Sequence, residues 1–275
     1  MPPALSIVVP AYNEAARLAQ SLPIILDYLN KTNPTAELIV VDDGSTDDTA
    51  DVSRQTLANS GSIDARVLTY ETNRGKGHAV RLGLLASRAP VALFSDADLS
   101  SPITEAPKLI EPIEQGEYDV TFGSRALERR LIGVHQPWRR EQGGRVFNLI
   151  VRLATGLPFW DTQCGFKAFR MSACRPIVEA TSIDRFGFDV ELLYVAQLAG
   201  LRLKEIPVRW DHKVGALDAS ANYARDSLRM VSEVKRIRRQ VDKGVYTEAI
   251  SAARTMSLVE QRKALHNSAA PDARH

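Results

Sequence analysis

The stretch Leu5-Ser6-Ile7-Val8-Val9, closed by Pro10, is a short run of mainly β-branched apolar residues. A run of this length and composition predicts a buried strand. A second such run follows at residues 37–41, and leucines and isoleucines at spacings of three and four predict a helix between them, from about residue 13 to 29. Strand, amphipathic helix and strand form a βαβ unit, so we predict an α/β fold with a mostly parallel, Rossmann-like sheet flanked by helices.

The alternation continues with predicted strands at 66–70 and 91–94 and a helix at 75–87. Ligands of such sheets bind beyond the carboxyl ends of the strands. Polar residues follow all four predicted strands at that point, namely Tyr12 to Glu14, Asp42 and Asp43, Asn73 to Lys76, and Asp96 and Asp98. Four polar loops on one edge of the sheet predict a binding site.

After residue 100 the pattern is less regular. Strands are predicted at 119–123, 166–170 and 203–210, and helices at 189–198 and 223–241. The stretch from Arg125 to Arg145 carries six arginines and two acids, and we predict an irregular basic segment there.

Asp96-Ala97-Asp98 places two carboxylates on alternate residues just after a buried strand. In an extended segment both side chains project to one side, and Ala97 is small enough for a ligand to approach. Such hard oxygen ligands suit Mg²⁺ or Mn²⁺, which usually also takes substrate phosphates. The alternative is that the two aspartates only cap a turn.

Two common phosphate-binding fingerprints are missing. There is no Gly-x-Gly-x-x-Gly after the first strand and no Walker motif, which argues against dinucleotide-dependent dehydrogenases and P-loop NTPases. Gly75-Lys76-Gly77 could contact a phosphate or ribose, or form a plain turn.

The composition is that of a globular chain of 275 residues, with 44% hydrophobic and 25% charged residues. No apolar run approaches the roughly 18–20 residues of a membrane span, and no secretory signal is recognised. Cys164 and Cys174 are the only cysteines, which favours a reducing, cytoplasmic location. Residues 1–124 contain 9 Lys and Arg against 17 Asp and Glu, whereas residues 125–275 contain 26 against 16. The acidic half could hold a metal and the basic half could face an anion.

Four segments, in this order and spacing, strongly resemble family 2 glycosyltransferases of the GT-A fold. They are Ser6-Ile7-Val8-Val9-Pro10-Ala11-Tyr12-Asn13-Glu14, Val40-Val41-Asp42-Asp43-Gly44-Ser45-Thr46-Asp47, Asn73-Arg74-Gly75-Lys76-Gly77 and Asp96-Ala97-Asp98-Leu99. Four later segments resemble the polyprenyl-phosphate branch, dolichyl-phosphate glucosyltransferases first and mannosyltransferases second. These are Gly123-Ser124-Arg125, Gly144-Arg145-Val146-Phe147-Asn148, Asp161-Thr162-Gln163-Cys164-Gly165-Phe166-Lys167 and Phe186-Gly187-Phe188-Asp189-Val190-Glu191. The resemblance covers about residues 4–240.

The resemblance implies an inverting transfer of a hexose, glucose first and mannose second, from a nucleotide sugar (UDP-glucose or GDP-mannose) to a polyprenyl or dolichyl phosphate, with Mg²⁺ or Mn²⁺. The implied donor-binding residues are Pro10, Ala11, Tyr12, Glu14, Asp42, Asp43, Lys76, Asp96 and Ala97. The implied metal ligands are Asp96, Asp98 and Ser100. Arg125, Arg140 and Arg145 would meet the acceptor phosphate, and Asp189 and Arg125 are the implied catalytic residues.

The implied role of Asp189 depends on the acceptor. Many family 2 enzymes use an acidic residue here as base for a sugar hydroxyl. A phosphate monoester needs no base, because its second pKa is about 6 and it is largely a dianion at pH 7. The sequence also departs from the family, since Ala216 and Leu217 stand where Ser and Lys commonly follow a glycine, here Gly215. Lys213 is the candidate substitute.

We expect a GT-A domain at 1–218 and a basic helical extension at 219–275. Apolar residues of this extension recur at spacings of three and four among seven Lys and Arg, namely Leu228, Val231, Val234, Ile237 and Val241. This pattern is typical of a helix lying on an anionic membrane, and equally of one packed on the domain. We expect the chain to associate peripherally with the inner face of the membrane, through this helix or the 125–145 segment, and expect no nucleic acid partner.

Other classes of function stay open. The same motifs suit a transferase acting on a soluble hydroxyl, with Asp189 as base, or a non-catalytic nucleotide-sugar-binding or scaffold protein. The intact Asp96, Asp98 and Arg125 argue against a non-catalytic protein. A sugar-nucleotide pyrophosphorylase would need a glycine-rich loop after the first strand, which this chain lacks.

Overall fold

The computed structural model describes residues 2–134, 136, 138–213 and 223–269. Strands and helices alternate through its first half, as predicted. The strands are β1 (Leu5–Ala11), β2 (Glu37–Asp42), β3 (Asp64–Thr69), β4 (Val91–Ser95), β5 (Val120–Ser124), β6 (Ile132–Val134), β7 (Phe166–Arg170), β8 (Leu203–Pro207) and β9 (Trp210–Asp211). The α-helices are α1 (Ala15–Thr32), α2 (Thr49–Leu57), α3 (Lys76–Ala86), α4 (Ala106–Glu114), α5 (Trp138–Thr155), α6 (Met171–Ala180), α7 (Phe188–Leu198), α8 (Tyr223–Asp242) and α9 (Thr247–Ala269).

Seven strands form one sheet in the order β3-β2-β1-β4-β7-β5-β8. Neighbouring strands from β3 to β4 run parallel, with Val8 opposite both Ile39 and Phe94. β5 and β8 are also parallel to each other. β6 and β9 form a separate small parallel sheet. The prediction of an α/β fold with a mostly parallel sheet is therefore confirmed.

The strand β7 has the bounds that the sequence predicts, but it runs antiparallel between β4 and β5. Its first residue, Phe166, pairs with Ser95 at the carboxyl end of β4. The segment that precedes β7 therefore lies beside Asp96 and Asp98, which follow β4. The reversed strand adds residues 161–165 to the edge of the sheet where the site is predicted.

The core lies on both sides of the sheet. Every residue of β1 is buried, and its side chains alternate between two apolar layers. Val8 belongs to the layer that contains Ala79 and Val80 of α3. Ile7 and Val9 belong to the layer of α1. A strand that is covered on both faces needs a continuous apolar run, which explains the composition of residues 5–9.

The C-terminal helices pack on the domain. Val234 and Ile237 of α8 are buried, as are Tyr246 and Ala253. Val231 and Val241 are partly buried and pack against the same core. The described part of the α8 stripe therefore packs on the domain and does not face a membrane. Leu228 and the domain boundary expected at residues 218 and 219 lie outside the described side chains and residues.

The segment predicted to be irregular, residues 125–145, instead contains β6 and the first half of α5. Phe147 and Val151 on one face of α5 are buried, and the helix packs against α8. Gly143 and Gly144 lower the helix propensity, and the clustered arginines interrupt the apolar spacing. Packing therefore supplies the stability that the sequence pattern does not reveal.

Within the described residues, no helix combines the length and apolar composition needed to cross a bilayer.

Candidate active site

The loops after β1 and β2 are joined by hydrogen bonds. The amide of Asn13 donates to Oγ of Ser45 at 2.9 Å, and the amide of Thr46 donates to Oδ1 of Asn13 at 2.8 Å. Asn13 adopts a left-handed conformation, with φ at 54°. Between these loops Tyr12 is 44% exposed, so its ring is available to a planar ligand. Pro10 and Ala11, also predicted to bind the donor, are buried in β1 beneath this loop.

Glu14 lies at the start of α1, next to Tyr12. Its carboxylate pairs with Nη1 of Arg17 at 2.6 Å, and its amide donates to Oγ1 of Thr49 at 2.8 Å. Burial raises the pKa of Glu14, while Arg17 opposes that rise and the nearby Asp98 adds to it. Glu14 therefore lies close to the aspartates that follow β4, as the sequence predicts.

Asp42 and Asp43 follow β2 but have different surroundings. Asp42 accepts the amide of Ser45 at 3.1 Å. Asp43 accepts Oη of Tyr70 at 2.7 Å, and it also accepts Nδ2 of Asn73 and the amides of Arg74 and Gly75 at 2.8–2.9 Å. Four donors use the acceptor capacity of one carboxylate. Asp43 therefore acts on the site by fastening the loop that leads to Lys76.

Lys76, the first residue of α3, is paired with Asp96. Nζ of Lys76 lies 2.5 Å from Oδ1 of Asp96. Burial opposes the charge on Lys76, but Asp96 and, more remotely, Asp189 raise its pKa above the usual value. The preceding residue, Gly75, has a φ of 116°, which a residue with a side chain rarely adopts. This turn directs the start of α3 toward the carboxylates.

Asp96 and Asp98 flank Ala97, which is buried. Oδ1 of Asp98 accepts the amide of Ser100 at 2.8 Å, and Oδ2 accepts the Ser100 hydroxyl at 2.9 Å. The amide of Asp96 donates to the carbonyl of Gly165 at 3.0 Å. A Cβ at Gly165 would lie 2.0 Å from Oδ2 of Asp96, so only glycine leaves room for this carboxylate.

The carboxylates of Asp96 and Asp98 fit a divalent cation that also binds phosphate oxygens. Asp96 is 35% exposed, so its carboxylate is open to a ligand. Among the described residues, no three His, Cys, Asp or Glu side chains converge to hold an ion by themselves. Mg²⁺ and Mn²⁺ typically take one or two carboxylates and complete their shell with water and substrate phosphates. Asp96 and Asp98 therefore suit such an ion together with a diphosphate, and Ser100 holds Asp98 in place.

Arg125, directly after β5, is held by Asp161. Its Nε and Nη2 donate to the two carboxylate oxygens at 2.7 and 2.8 Å, and its amide donates at 3.0 Å. The guanidinium also lies 5.5 Å from the ring centroid of Trp210. Burial opposes its charge, but Asp161 and, more remotely, Asp96 raise the pKa of Arg125. A fixed, charged guanidinium therefore lies near the carboxylates.

The loop that carries Asp161 is anchored from two sides. Nδ2 of Asn148, on α5, donates to the carbonyls of Phe159 and Trp160 at 3.1 and 2.5 Å. The carboxylate of Glu205, on β8, accepts the amides of Trp160 and Asp161 at 2.9 and 2.7 Å. These bonds fix the backbone on which the position of Arg125 depends.

Asp189 is buried at the start of α7. Nζ of Lys167, which is fully buried, lies 2.6 Å from Oδ1 of Asp189 and donates to the carbonyl of Cys164 at 2.5 Å. Burial raises the pKa of Asp189, whereas Lys167 and Lys76 oppose that rise. The positively charged groups near this carboxylate are thus Lys167 and Lys76, and only 3% of Asp189 is exposed.

The other predicted arginines lie on α5. Arg145 is exposed and pairs with Glu141 at 2.9 Å. The side chain of Arg140 lies outside the described ones. Lys213, the candidate substitute for the family's lysine, is exposed, and Gly215, Ala216 and Leu217 lie outside the described residues.

Sequence reasoning gave no role to three residues of the site, Lys167, Gly165 and Trp210, although the first two lie in a segment that carries the family resemblance. A lysine between Phe166 and Ala168 on an apolar strand was a usable signal, because an unpaired lysine is almost never fully buried. Trp210 had no such signal. It meets Arg125 only because β9 pairs with β6 beside the site.

Comparison with known proteins agrees with these motifs. The profile of Glycosyl transferase family 2 matches residues 6–177. The chain is 36% identical over 223 residues to the dolichyl-phosphate beta-glucosyltransferase of Homo sapiens, and this alignment covers 77% of this chain and 68% of that protein. It is 38% identical over 219 residues to the Drosophila melanogaster enzyme of the same name, covering 75% and 66%.

The fold is similar to that of a solved enzyme. Glucosyl-3-phosphoglycerate synthase from Mycobacterium tuberculosis, crystallised with Mn²⁺, UDP and glucosyl-3-phosphoglycerate, superposes with a TM-score of 0.59 at 22% identity. The match covers 84% of this chain and 80% of that one. At this identity the likeness concerns the fold.

Proposed function

Because the chain belongs to glycosyl transferase family 2, we propose that it transfers glucose, with inversion, from a nucleotide sugar to a polyprenyl phosphate of the dolichyl type. The similarity to enzymes named dolichyl-phosphate beta-glucosyltransferase supports this reaction. The structural observation that carries the choice of acceptor is Arg125, a guanidinium held by Asp161 beside the carboxylates. Arginine suits phosphate because its planar fork meets two oxygens at once.

The donor would lie across the ends of β1, β2 and β4. Tyr12 is exposed for stacking on the base, Asp42 at the end of β2 would hydrogen-bond the base, and Lys76 would meet the ribose or diphosphate. UDP-glucose is the first choice of donor and GDP-mannose the second. The solved neighbour holds UDP on the same fold, which supports the choice of UDP.

Asp96 and Asp98 are the residues that would hold Mg²⁺ or Mn²⁺. The structural neighbour has been crystallised with either ion together with UDP. When bound, the ion supplies positive charge that stabilises the nucleoside diphosphate as it leaves. Ser100 orients Asp98 through two hydrogen bonds, and Gly165 gives the Asp96 carboxylate its space.

The proposed chemistry is a displacement at the anomeric carbon of glucose. An oxygen of the acceptor phosphate forms the new bond to that carbon while the bond to the UDP oxygen breaks, and UDP leaves with the electron pair. The acceptor is largely a dianion at pH 7, since its second pKa is about 6, and no general base is required. Arg125 would orient the attacking phosphate and offset its charge.

In this reaction Asp189 would position rather than accept a proton. It is buried against Lys167 and raises the pKa of Lys76. It would therefore keep two lysines charged near the donor. A soluble hydroxyl acceptor would instead need a base that the hydroxyl can reach. The burial of Asp189 therefore favours the phosphate acceptor.

A lipid acceptor requires contact with a membrane. We propose peripheral association with the inner face of an anionic membrane, for which the basic second half of the chain supplies the charge. We keep a nucleotide sugar and a polyprenyl phosphate as partners and propose no nucleic acid partner.

A transfer assay tests the function. Purified protein is incubated with radiolabelled UDP-glucose or GDP-mannose, with Mg²⁺, Mn²⁺ or a chelator, and with or without a polyprenyl phosphate. We expect a glucolipid only with UDP-glucose, metal and the lipid phosphate. Transfer only to a soluble hydroxyl acceptor, with loss in Asp189→Asn, would replace this proposal by the hydroxyl-acceptor reaction.

A further inference from the structure

One face of α5 exposes apolar side chains at the start of the helix and through its second half. Trp138, Val146, Leu149 and Leu153 are 72, 58, 54 and 77% exposed, and we call them the α5 stripe. At 3.6 residues per turn these four positions lie within an arc of about 80°. Four large apolar side chains in one line differ from the single exposed ones that any surface carries.

The opposite face of α5 already has its partners. Phe147 and Val151 are buried in the core, and Asn148 binds the loop at residues 159–162. The stripe is therefore not a core face turned outward by chance, because the helix is anchored with its other face inward. Each residue of the stripe projects away from the domain.

Positive charge flanks the stripe. Arg145 and Arg152 lie on the same side of α5, about two turns apart. Arg129 reaches the helix through an ion pair with Glu141 at 2.7 Å. Arg145 and Arg129 remain about half exposed despite sharing Glu141. Apolar residues bordered by exposed arginines match a bilayer surface that contains anionic lipids.

The stripe is also connected to the acceptor end of the site. The guanidinium of Arg152 lies 4.1 Å from the ring centroid of Trp160, which is 57% exposed. The next residue, Asp161, holds Arg125. Tryptophan is favoured at membrane interfaces, where its ring meets both lipid and headgroups. A surface in contact with lipid at Trp138 and Trp160 would thus place Arg125 near the headgroup level.

We infer that the α5 stripe and Trp160, with Arg129, Arg145 and Arg152 around them, form the surface by which this protein lies on an anionic lipid bilayer. Only the purpose of this docking rests on the proposed function: it would bring a phosphate at the membrane surface to Arg125. Here α5 replaces α8 as the docking helix, because the described stripe of α8 packs against the core.

The test compares two variants of the full chain. Leu149→Asp with Leu153→Asp places charge on the stripe, and Ile24→Asp is the control, because Ile24 on α1 is also 54% exposed but lies on the other side of the sheet. Thermal unfolding first establishes that both variants are folded. Each is then sedimented with phosphatidylcholine vesicles that contain or lack phosphatidylglycerol, at low and high salt.

We expect the wild-type protein and Ile24→Asp to pellet with anionic vesicles at low salt and to be released at high salt. The double variant should partition at least about tenfold more weakly, since each leucine loses its burial in lipid. Brominated lipid should quench tryptophan emission of the wild type, and less so in Trp138→Phe. Equal pelleting of wild type and double variant would overturn the inference, as would a stripe that proves to be covered by a second copy, seen as a dimer that the double variant abolishes without vesicles.

A soluble acceptor separates this inference from the proposed function. With a short-chain polyprenyl phosphate in solution, the double variant should turn over like the wild type, and only transfer to vesicle-borne lipid should fall. If the wild type uses neither acceptor, the proposed function fails, and vesicle pelleting still decides whether α5 docks.

Discussion

Arg125 and Asp161 are joined by three hydrogen bonds, in which the amide, Nε and Nη2 of Arg125 all donate to the Asp161 carboxylate, at 3.0, 2.7 and 2.8 Å. The backbone and the side chain of Arg125 are thus fixed by the same group. Asp161 does not need to touch a substrate to control how an acceptor phosphate is met.

The first prediction concerns that control. Asp161→Asn should keep donor binding but lower transfer to the lipid phosphate by roughly 100-fold, because a misplaced binding group costs about that much. Steady-state kinetics with varied acceptor and UDP binding by calorimetry measure the two effects. Glu128→Gln, which removes another acidic partner of an arginine in the same region, is the control and should leave both unchanged.

Arg125→Lys should not be a conservative change. A lysine keeps the charge but loses the planar fork that meets Asp161 and a phosphate, and it loses the contact with Trp210. We expect a large fall in kcat/KM for the acceptor, with donor hydrolysis unaffected. Arg54→Lys, at an exposed arginine on α2 that also pairs with an aspartate, serves as the control. Unchanged acceptor kinetics in Arg125→Lys would show that Arg125 is only a structural charge.

Asp98→Ala should abolish metal-dependent transfer with little loss of fold stability. The variant loses two hydrogen bonds donated by Ser100, worth about 0.5–1.5 kcal/mol each at this partly exposed carboxylate, and relief of repulsion from Asp96 offsets part of that loss. Mn²⁺ binding in the presence of UDP, followed by electron paramagnetic resonance, and the Tm measure the two effects. Asp51→Ala, an exposed carboxylate on α2, should change neither. Full activity of Asp98→Ala in the presence of chelator would contradict the metal assignment.

Glu37 predicts a dependence of stability on pH. Burial alone would raise its pKa, but hydrogen bonds from the Arg88 amide at 2.6 Å, from Ser6 and from Arg66 lower it below 4.5. A lowered pKa in the folded state adds stability above pH 4.5, and this stability is lost as the pH falls through the folded-state pKa. Glu37→Gln should therefore lower the free energy of unfolding by about 1.5–3 kcal/mol at pH 7. Urea unfolding at pH 7 and at pH 3.5 should show the gap between wild type and variant closing in acid, and a gap independent of pH would contradict the argument.

The C-terminal helices should be required for folding. Oη of Tyr246, between α8 and α9, donates to the buried carboxylate of Glu191 at 2.5 Å, and that carboxylate also accepts the amides of Ser182 and Ile183. Tyr246→Phe should cost about 1.5–3 kcal/mol in the free energy of unfolding. Removal of residues 219–275 should leave a chain that does not fold, because it uncovers the core around Val234 and Ile237. Urea titration and circular dichroism measure these effects, and a folded, donor-binding truncation would contradict them.

The first half of the fold was predictable because each step is local. Runs of apolar residues, helix spacing and polar strand ends placed β1 to β4 and their loops within a few residues, and the site lies where parallel strands require it. The segment 166–170 was also recognised as a strand, but its direction depends on which strands it joins, and that information is not in the segment.

The second half was less predictable because packing decides it. An apolar stripe has the same spacing whether it covers a core or faces lipid. The sequence therefore left both interpretations of α8 open, and the structure packs its described stripe against the core. In α5 the glycines and arginines masked a helix that tertiary contacts stabilise. The partners of Arg125 and Asp189 come from distant segments, and Asp161 was identified only through the motif it belongs to.

The segment 161–165 limits how the acceptor preference of this enzyme can change. The first of them, Asp161, fixes the position of Arg125, and the last, Gly165, leaves space for the Asp96 carboxylate. These five consecutive residues therefore determine the distance between the acceptor-binding and the metal-binding side chains. An insertion or deletion within residues 161–165 changes that distance, whereas one in an exterior loop does not. A new acceptor preference should therefore be transferred by exchanging residues 161–165 together with Asn148 and Glu205, whose side chains accept hydrogen bonds from Thr162 and Asp161.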